Sequence, residues 1–175
     1  MVINGESHIW IIKEFLKSMM DRNTGHIVCV SSMAGICGGA GLTDYCASKF
    51  FAYTLNESLR IEMRHLGKNI AVTTVCPYYI DTGMFDGAKA DWLWPLLKQE
   101  WVTDRIIQAI QQEEGEVNIY WLQAVLIYLC KCVMSSAVFD WTLWILNGFD
   151  GVLVDFKGRQ GANDPLTLAG TGNKS

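Results

Sequence analysis

The sequence predicts an α/β fold built on a parallel sheet. Two short apolar runs rich in β-branched residues, His26 to Val30 and Ile70 to Cys76, flank one long helical stretch from about Leu42 to Leu66. Strands joined in this way form a βαβ crossover, in which the strands run parallel and the helix covers a sheet face. The chain has 175 residues, 50% hydrophobic and 18% charged, which is enough for one core and implies a single globular domain.

Taken in order, Ile9, Ile12, Phe15, Leu16 and Met19 recur at helical spacing between Asn4 and Met20, and Asp21-Arg22-Asn23-Thr24-Gly25 breaks that pattern. His26 to Val30 follows as a short buried strand, and Pro77 closes the second strand. The helix between them sets Tyr45, Ser48, Lys49 and Ala52 along neighbouring turns and ends near Gly67. Thr103 to Gln112 reads as a further helix with Ile106, Ile107 and Ile110 on one face, and Val117 to Tyr120 as a last short strand.

The remainder is unusually apolar. Trp121 to Met134 carries only Gln123 and Lys131 as strongly polar residues, and Val138 to Leu146 adds Phe139, Trp141, Leu143, Trp144 and Ile145. Neither run reaches the roughly 20 apolar residues of a membrane-spanning helix. Three uses stand open: a lipophilic lid over a substrate, a segment lying in a membrane interface with Trp, Tyr and Lys131 at headgroup level, and plain buried core. The chain therefore divides into a sheet domain over 1–115, an apolar segment over 116–160 and a polar, glycine-containing tail over 161–175 that is expected to be disordered.

A net charge of −4 with no Lys/Arg run argues against a nucleic-acid partner. The six cysteines, at 29, 37, 46, 76, 130 and 132, lack Cys-x-x-Cys spacing and sit in apolar patterns. They read as reduced core thiols of a cytosol-facing protein, with neither a metal site nor a disulfide framework expected. Residues 1 to 10 lack the basic start and apolar core of a signal peptide.

Chemistry concentrates around Tyr45-Cys46-Ala47-Ser48-Lys49, with Ser31-Ser32 fourteen and thirteen residues before the tyrosine and Asn4 near the start. A tyrosine and a lysine four apart on a helix share a face, so the ammonium can favour the phenolate and bring a pKa of about 10 towards the working pH. Such a phenolate can take a proton from an alcohol while hydride leaves, or return one to a carbonyl. A serine hydroxyl supplies a second contact to the same oxygen. Each residue also has a plainer use: Tyr45 as a packing residue, Lys49 as a solvated charge, Asn4 as a helix cap, Ser31, Ser32 and Thr82 as turn or cap residues. His8, His26 and His65 read as structural or exposed residues.

Four ordered blocks carry a family resemblance. They are Asn4, the run Gly25-His26-Ile27-Val28-Cys29-Val30-Ser31-Ser32-Met33-Ala34-Gly35, Asp44-Tyr45-Cys46-Ala47-Ser48-Lys49, and Cys76-Pro77-Tyr78-Tyr79-Ile80-Asp81-Thr82-Gly83-Met84-Phe85. Together they resemble the short-chain dehydrogenase/reductase superfamily, and within it the membrane-associated branch of epidermal retinol dehydrogenases and some 17β-hydroxysteroid dehydrogenases. The clear likeness covers the first half of the chain, with a weaker one running on to Phe156-Lys157-Gly158-Arg159. Tyr78 departs from the glycine of many members, a departure the lipid-oriented branch tolerates.

The resemblance implies the C-terminal part of a Rossmann-type, doubly wound parallel sheet. A dinucleotide fold needs a first strand, a glycine-rich turn and a ribose-reading residue, and these would lie upstream of Met1. The cluster Gly35 to Gly41 follows the Ser31-Ser32 strand end and cannot replace that turn. The chain is thus expected to be the catalytic portion of a longer enzyme.

By the same resemblance Tyr45 is the general acid/base, Lys49 tunes it and bonds the nicotinamide ribose, Ser32 (by its thirteen-residue spacing) orients the substrate oxygen, and Asn4 holds a relay water. Pro77 to Thr82 would pass the nicotinamide, with the Ile80 backbone at the carboxamide and Thr82 near the amide or phosphate. The cofactor would be NAD or NADP. The substrate would be a lipophilic alcohol or carbonyl, retinoid or else steroid, met at the endoplasmic reticulum membrane or a lipid-droplet surface facing the cytosol, or otherwise in the cytoplasm. The helices carrying Asn4 and Tyr45 would form a homo- or heterodimer contact with a family member. An inactive, truncated interaction partner is the alternative.

Overall fold

A computed structural model describes residues 2–82 and 95–145. The motif residues Gly83, Met84 and Phe85, the Phe156-to-Arg159 run and the 161–175 tail lie outside the described residues. A π turn over Val2–Glu6 leads into α1 (Ser7–Arg22), followed by β1 (Gly25–Val30), a 3-10 turn (Met33–Gly35), α2 (Thr43–His65) and β2 (Ile70–Cys76). After these come α3 (Gln99–Gln111), β3 (Glu116–Asn118), α4 (Trp121–Val133) and α5 (Ser136–Ile145).

The three strands form one sheet in the order β1-β2-β3, paired parallel throughout, with Gly25 opposite Ile70 and Thr74 opposite Glu116. Both faces of β2 are covered. Side chains alternate along a strand, so Thr74 meets Asn56 of α2 while Thr73 meets His26 of β1 and the Glu114 carbonyl that follows α3. One core cluster joins Leu59 and Met63 of α2 to Ile70 and Val72 of β2, with Ile12 and Leu16 of α1 against it. A larger one gathers Met33, Val75, Val117 and Ile127 with residues of α3 and α4.

Several expectations need adjustment. The first helix is regular only from Ser7, because residues 2–6 wind more widely. It runs two residues past Met20 to Arg22 and stops at Asn23, whose φ of 52° is left-handed. Helix α3 begins at Gln99, four residues before Thr103, and its first turn brings Val102 into the core. The strand expected over Val117 to Tyr120 is Glu116–Asn118, with Ile119 and Tyr120 turning into α4. His26 to Val30 is not a uniformly buried run: Cys29 is buried, while Val28 and Val30 face solvent at the sheet edge. Among the cysteines, 29, 37, 46 and 76 are buried, but Cys130 is half-buried and Cys132 exposed on α4.

Helix α4 is partly core and partly surface. Gln123, Ala124 and Ile127 turn inwards, whereas Trp121, Leu122, Leu129 and Val133 lie outside. Among the described residues no helix is long and apolar enough to cross a membrane.

Candidate active site

The C-terminal ends of β1 and β2 open into a cavity of about 460 Å³. Clefts at this end of parallel strands are where open α/β sheets receive ligands. Ser32, Tyr45, Lys49, Pro77, Ile80 and Thr82 all line it. Its apolar wall comes from Val30, Met33, Leu42, Tyr78 and Tyr79. Asn4 does not line it; its Nδ2 instead donates to Ser48 Oγ at 3.5 Å on the helix behind.

Backbone geometry explains how the two sides of the cavity come together. The Ser31 N–H donates to the Val75 carbonyl at 2.8 Å and the Met33 N–H to the Pro77 carbonyl at 2.9 Å, so the chain leaving β1 stays beside the chain leaving β2. Helix α2 then packs directly on the 3-10 turn at Gly35. A β carbon there would lie 2.5 Å from Ser31 Oγ and 2.9 Å from the Lys49 carbonyl oxygen, so only glycine permits the approach. At the other end, Gly5 lies against Phe51 of α2.

Sequence left Ser31 and Ser32 undivided on physical grounds, and the structure separates them. Ser31 is 3% exposed and donates its hydroxyl hydrogen to the Lys49 carbonyl at 2.9 Å. Ser32 is half-buried; its Oγ accepts from the Ala34 N–H at 3.2 Å and lies 3.5 Å from the Pro77 carbonyl. Ser31 therefore braces α2 and Ser32 caps the 3-10 turn, while both residues lie in the cavity lining.

Tyr45 and Lys49 share a face of α2 as their spacing requires, with the ammonium 5.8 Å from the phenol ring centroid. Lys49 Nζ donates to the Val30 carbonyl at 3.1 Å. Burial lowers the Lys49 pKa from its ordinary value, opposed by the neighbouring Cys29 and Cys76. The Tyr45 hydroxyl makes no hydrogen bond among the described residues.

The segment after Pro77 is tied down by a bridge between Ile80 and Leu97. Leu97 N–H donates to the Tyr79 carbonyl and Asp81 N–H to the Leu97 carbonyl, each at 2.9 Å. The Ile80 carbonyl accepts the Thr82 N–H at 2.9 Å, and the Ile80 N–H has no hydrogen-bond partner among the described residues. Tyr78 stands edge-on to Tyr79 at 4.7 Å between centroids and to Tyr120 at 5.7 Å, so this aromatic wall reaches the start of α4. Burial pushes the Tyr79 phenol up from its ordinary value, so at neutral pH it stays protonated.

Two groups beside the site escaped sequence reasoning. Tyr53, one turn past Lys49, donates to Glu116 Oε2 at 2.8 Å and lies 3.0 Å from the Tyr128 hydroxyl. Tyr128 and Asn118 approach Glu116 Oε1 at 3.2 and 2.7 Å. This network joins α2, β3 and α4; its only sequence signal was Tyr53 at the i+8 position from Tyr45. The second group is His8, whose Nδ1 lies 3.4 Å from Cys29 Sγ. It has no local signature, because Cys29 is brought to it by the return of the chain into β1.

Comparison with known proteins agrees with this architecture. The family model for short chain dehydrogenase matches residues 1–92. The short-chain dehydrogenase/reductase family 16C member 6 of Bos taurus is 38% identical over 169 residues, covering 95% of this chain and 53% of that protein. Epidermal retinol dehydrogenase 2 of Mus musculus is 47% identical over 117 residues, covering 64% of this chain and 37% of that one. This chain thus spans about half the length, or less, of the curated relatives it matches. Among solved structures, a short chain dehydrogenase from Burkholderia cenocepacia in complex with NADP superposes with a TM-score of 0.62 at 21% identity, over 75% of this chain and 54% of that one. That likeness shows a shared fold.

Proposed function

This chain belongs to the short-chain dehydrogenase family, and from that premise we propose that it carries the catalytic portion of a nicotinamide-dependent oxidoreductase acting on a lipophilic alcohol and its carbonyl partner. The observation that carries the proposal is one cavity holding Ser32, Tyr45 and Lys49 on one side and Pro77, Ile80 and Thr82 on the other, with a wall otherwise apolar. In this reading Tyr45 exchanges the proton, its hydroxyl uncommitted among the described residues. Lys49 supplies positive charge beside it, and Ser32 orients the substrate oxygen. Asn4 holds a relay water from behind α2.

The nicotinamide end of NAD or NADP fits the residues present: the Ile80 N–H, without a partner among the described residues, would meet a carboxamide oxygen, and Thr82 lies in the cavity lining. When bound, the cofactor accepts or supplies the hydride. A retinoid substrate is favoured over a steroid by the relative named epidermal retinol dehydrogenase 2. The outer face of α4, with Trp121, Leu129 and Val133 exposed, suits a lipid surface such as the endoplasmic reticulum membrane or a lipid droplet on its cytosolic side.

A second reading has its own observation. No residue of α1 is buried, and Trp10, Ile11 and Phe15 stand exposed, Trp10 at 66%. That face suits pairing with a second copy or a family member, and it is available to a catalytically silent partner as well.

The test uses the protein as isolated from its native source, assayed for retinol oxidation and retinal reduction with each cofactor. Tyr45→Phe is expected to lower turnover roughly 10²- to 10⁴-fold, the range of a general acid/base, with cofactor binding retained. Unchanged turnover would reject the role of Tyr45. Absence of turnover in the unaltered protein, together with a stable heterodimer, would favour the pairing partner.

A further inference from the structure

A line of contacts links α1 through β1 to the Lys49 end of the site. His8 Nδ1 lies 3.4 Å from Cys29 Sγ on β1. The next residue along that strand, Val30, supplies the carbonyl that holds Lys49 Nζ at 3.1 Å. His8 and Lys49 thus meet β1 at adjoining residues, one from α1 and the other from α2. Asn4, four residues before His8, reaches Ser48 Oγ beside Lys49 on α2. Among the described residues, the titratable groups facing His8 are Cys29 from β1 and Lys49 from α2.

One imidazole tautomer satisfies both contacts of Cys29. Cys29 is buried, and its Sγ lies 3.9 Å from the Ala52 carbonyl, an acceptor only. With the S–H given to that carbonyl, Sγ accepts from Nδ1–H and the lone pair is on Nε2, the tautomer that the first measurement below tests. Nε2 has no hydrogen-bond partner among the described residues, and the ring is half-buried, with access to solvent.

We propose that His8, through Nε2, passes the reaction's proton between the Lys49 end of the site and bulk water. The proposal rests on the oxidoreductase reading above. In the oxidising direction the alcohol carbon gives up hydride with its electron pair to the nicotinamide, and the hydroxyl proton goes to the Tyr45 phenolate. The carbonyl product keeps the oxygen, and one proton has to leave the protein per turnover. It travels by way of Lys49 and bridging water to His8 Nε2, and the imidazolium releases it to solvent; carbonyl reduction runs the same path inwards. His8 touches neither substrate nor cofactor and acts through Lys49. Burial and the Lys49 charge both hold its pKa below the ordinary value, so at neutral pH it is an unprotonated acceptor that gives its proton up readily.

The first measurement is ¹⁵N imidazole NMR of the unaltered chain. The expected result is the Nδ1–H tautomer, with a His8 pKa that rises in Lys49→Met as the neighbouring positive charge is removed. The second compares the native protein with His8→Asn. The expected loss in kcat is about 10- to 10²-fold at low buffer concentration, towards the small end of acid/base contributions, with KM unchanged, a larger solvent deuterium isotope effect and recovery on adding imidazole. An Nε2–H tautomer, an unmoved His8 pKa in Lys49→Met, or a His8→Asn enzyme with the wild-type pH profile would each overturn the proposal. Absence of hydride transfer in the unaltered protein would instead reject the oxidoreductase reading, visible before any variant is compared, and this inference with it.

Discussion

Helices α2 and α4 differ in how much of their apolar surface the fold covers. Helix α2 buries Ser48 and Asn56 and leaves Ile61 exposed, whereas α4 is almost wholly apolar and leaves Trp121 68% and Val133 78% exposed. The polar groups of α2 tolerate burial because the sheet and the 3-10 turn offer partners. Asn56 Nδ2 donates to the Thr73 carbonyl at 3.1 Å and to Thr74 Oγ1 at 2.8 Å, and Ser48 Oγ donates to the Tyr45 carbonyl at 2.7 Å. The apolar groups of α4 stay outside because β3 is a three-residue strand and covers only one side of the helix. Polarity is therefore a poor guide to depth here: available hydrogen-bond partners and the reach of the sheet decide which residues go inside.

The same contrast separates function. Helix α2 is held rigidly and presents Tyr45 and Lys49. Helix α4 is tied to it by two polar anchors on its inner side, Tyr128 in the Glu116 network and Lys131, whose Nζ donates to the Ile36 carbonyl at 2.9 Å and sits over the Phe50 ring.

Four measurements can break or sharpen this contrast. The largest effect is expected at Asn56, 1% exposed: Asn56→Ala leaves the Thr73 carbonyl and the Thr74 hydroxyl without their donor and should cost about 3 kcal/mol in urea unfolding. A loss under about 0.5 kcal/mol would mean that α2 is held by apolar contact alone. Next, Gly35→Ala should cost about 2 kcal/mol by forcing α2 off the 3-10 turn. Unaltered stability would show that the Lys49 backbone can yield.

A smaller effect, about 1 kcal/mol, is expected for Tyr128→Phe, which removes one donor from Glu116. This network also sets an alkaline limit. Burial is the first cause of the raised pKa values of Tyr53, of Tyr128, pushed up to about 12 from 10.0, and of Cys76, pushed up to about 12 from 9.0. A folded-state pKa above the unfolded one means that the native state holds its proton more tightly. The contribution is thus complete below the unfolded pKa and is lost as pH rises from about 9 towards 12. Unfolding free energy should therefore fall over that window, less steeply in Tyr128→Phe; a flat profile would rule out burial of these groups. The smallest effect on stability is expected on the outer face of α4. Leu129→Ser should stay within about 0.5 kcal/mol in water yet weaken binding to phosphatidylcholine vesicles. A core-sized loss would mean that this face is covered in solution.

Read from the sequence alone, the parallel βαβ unit was clear because its signals are local: the short β-branched run Ile70 to Cys76 and the long helical stretch from Leu42 to Leu66 are set by neighbours along the chain. The common face of Tyr45 and Lys49 follows from the same helical geometry. What needed tertiary structure were the features made by segments distant in the chain. Ser31 and Ser32 differ because the Lys49 carbonyl, eighteen residues on, takes the Ser31 hydroxyl, while the Ser32 hydroxyl caps the 3-10 turn beside the Pro77 carbonyl. The contact of His8 with Cys29 and the Tyr53, Glu116 and Tyr128 network exist only once helices and strands have docked. Local sequence determines φ, ψ and which residues share a face. Which face meets a partner, and which polar groups can be buried there, depends on the carbonyls and side chains that folding brings within about 3 Å.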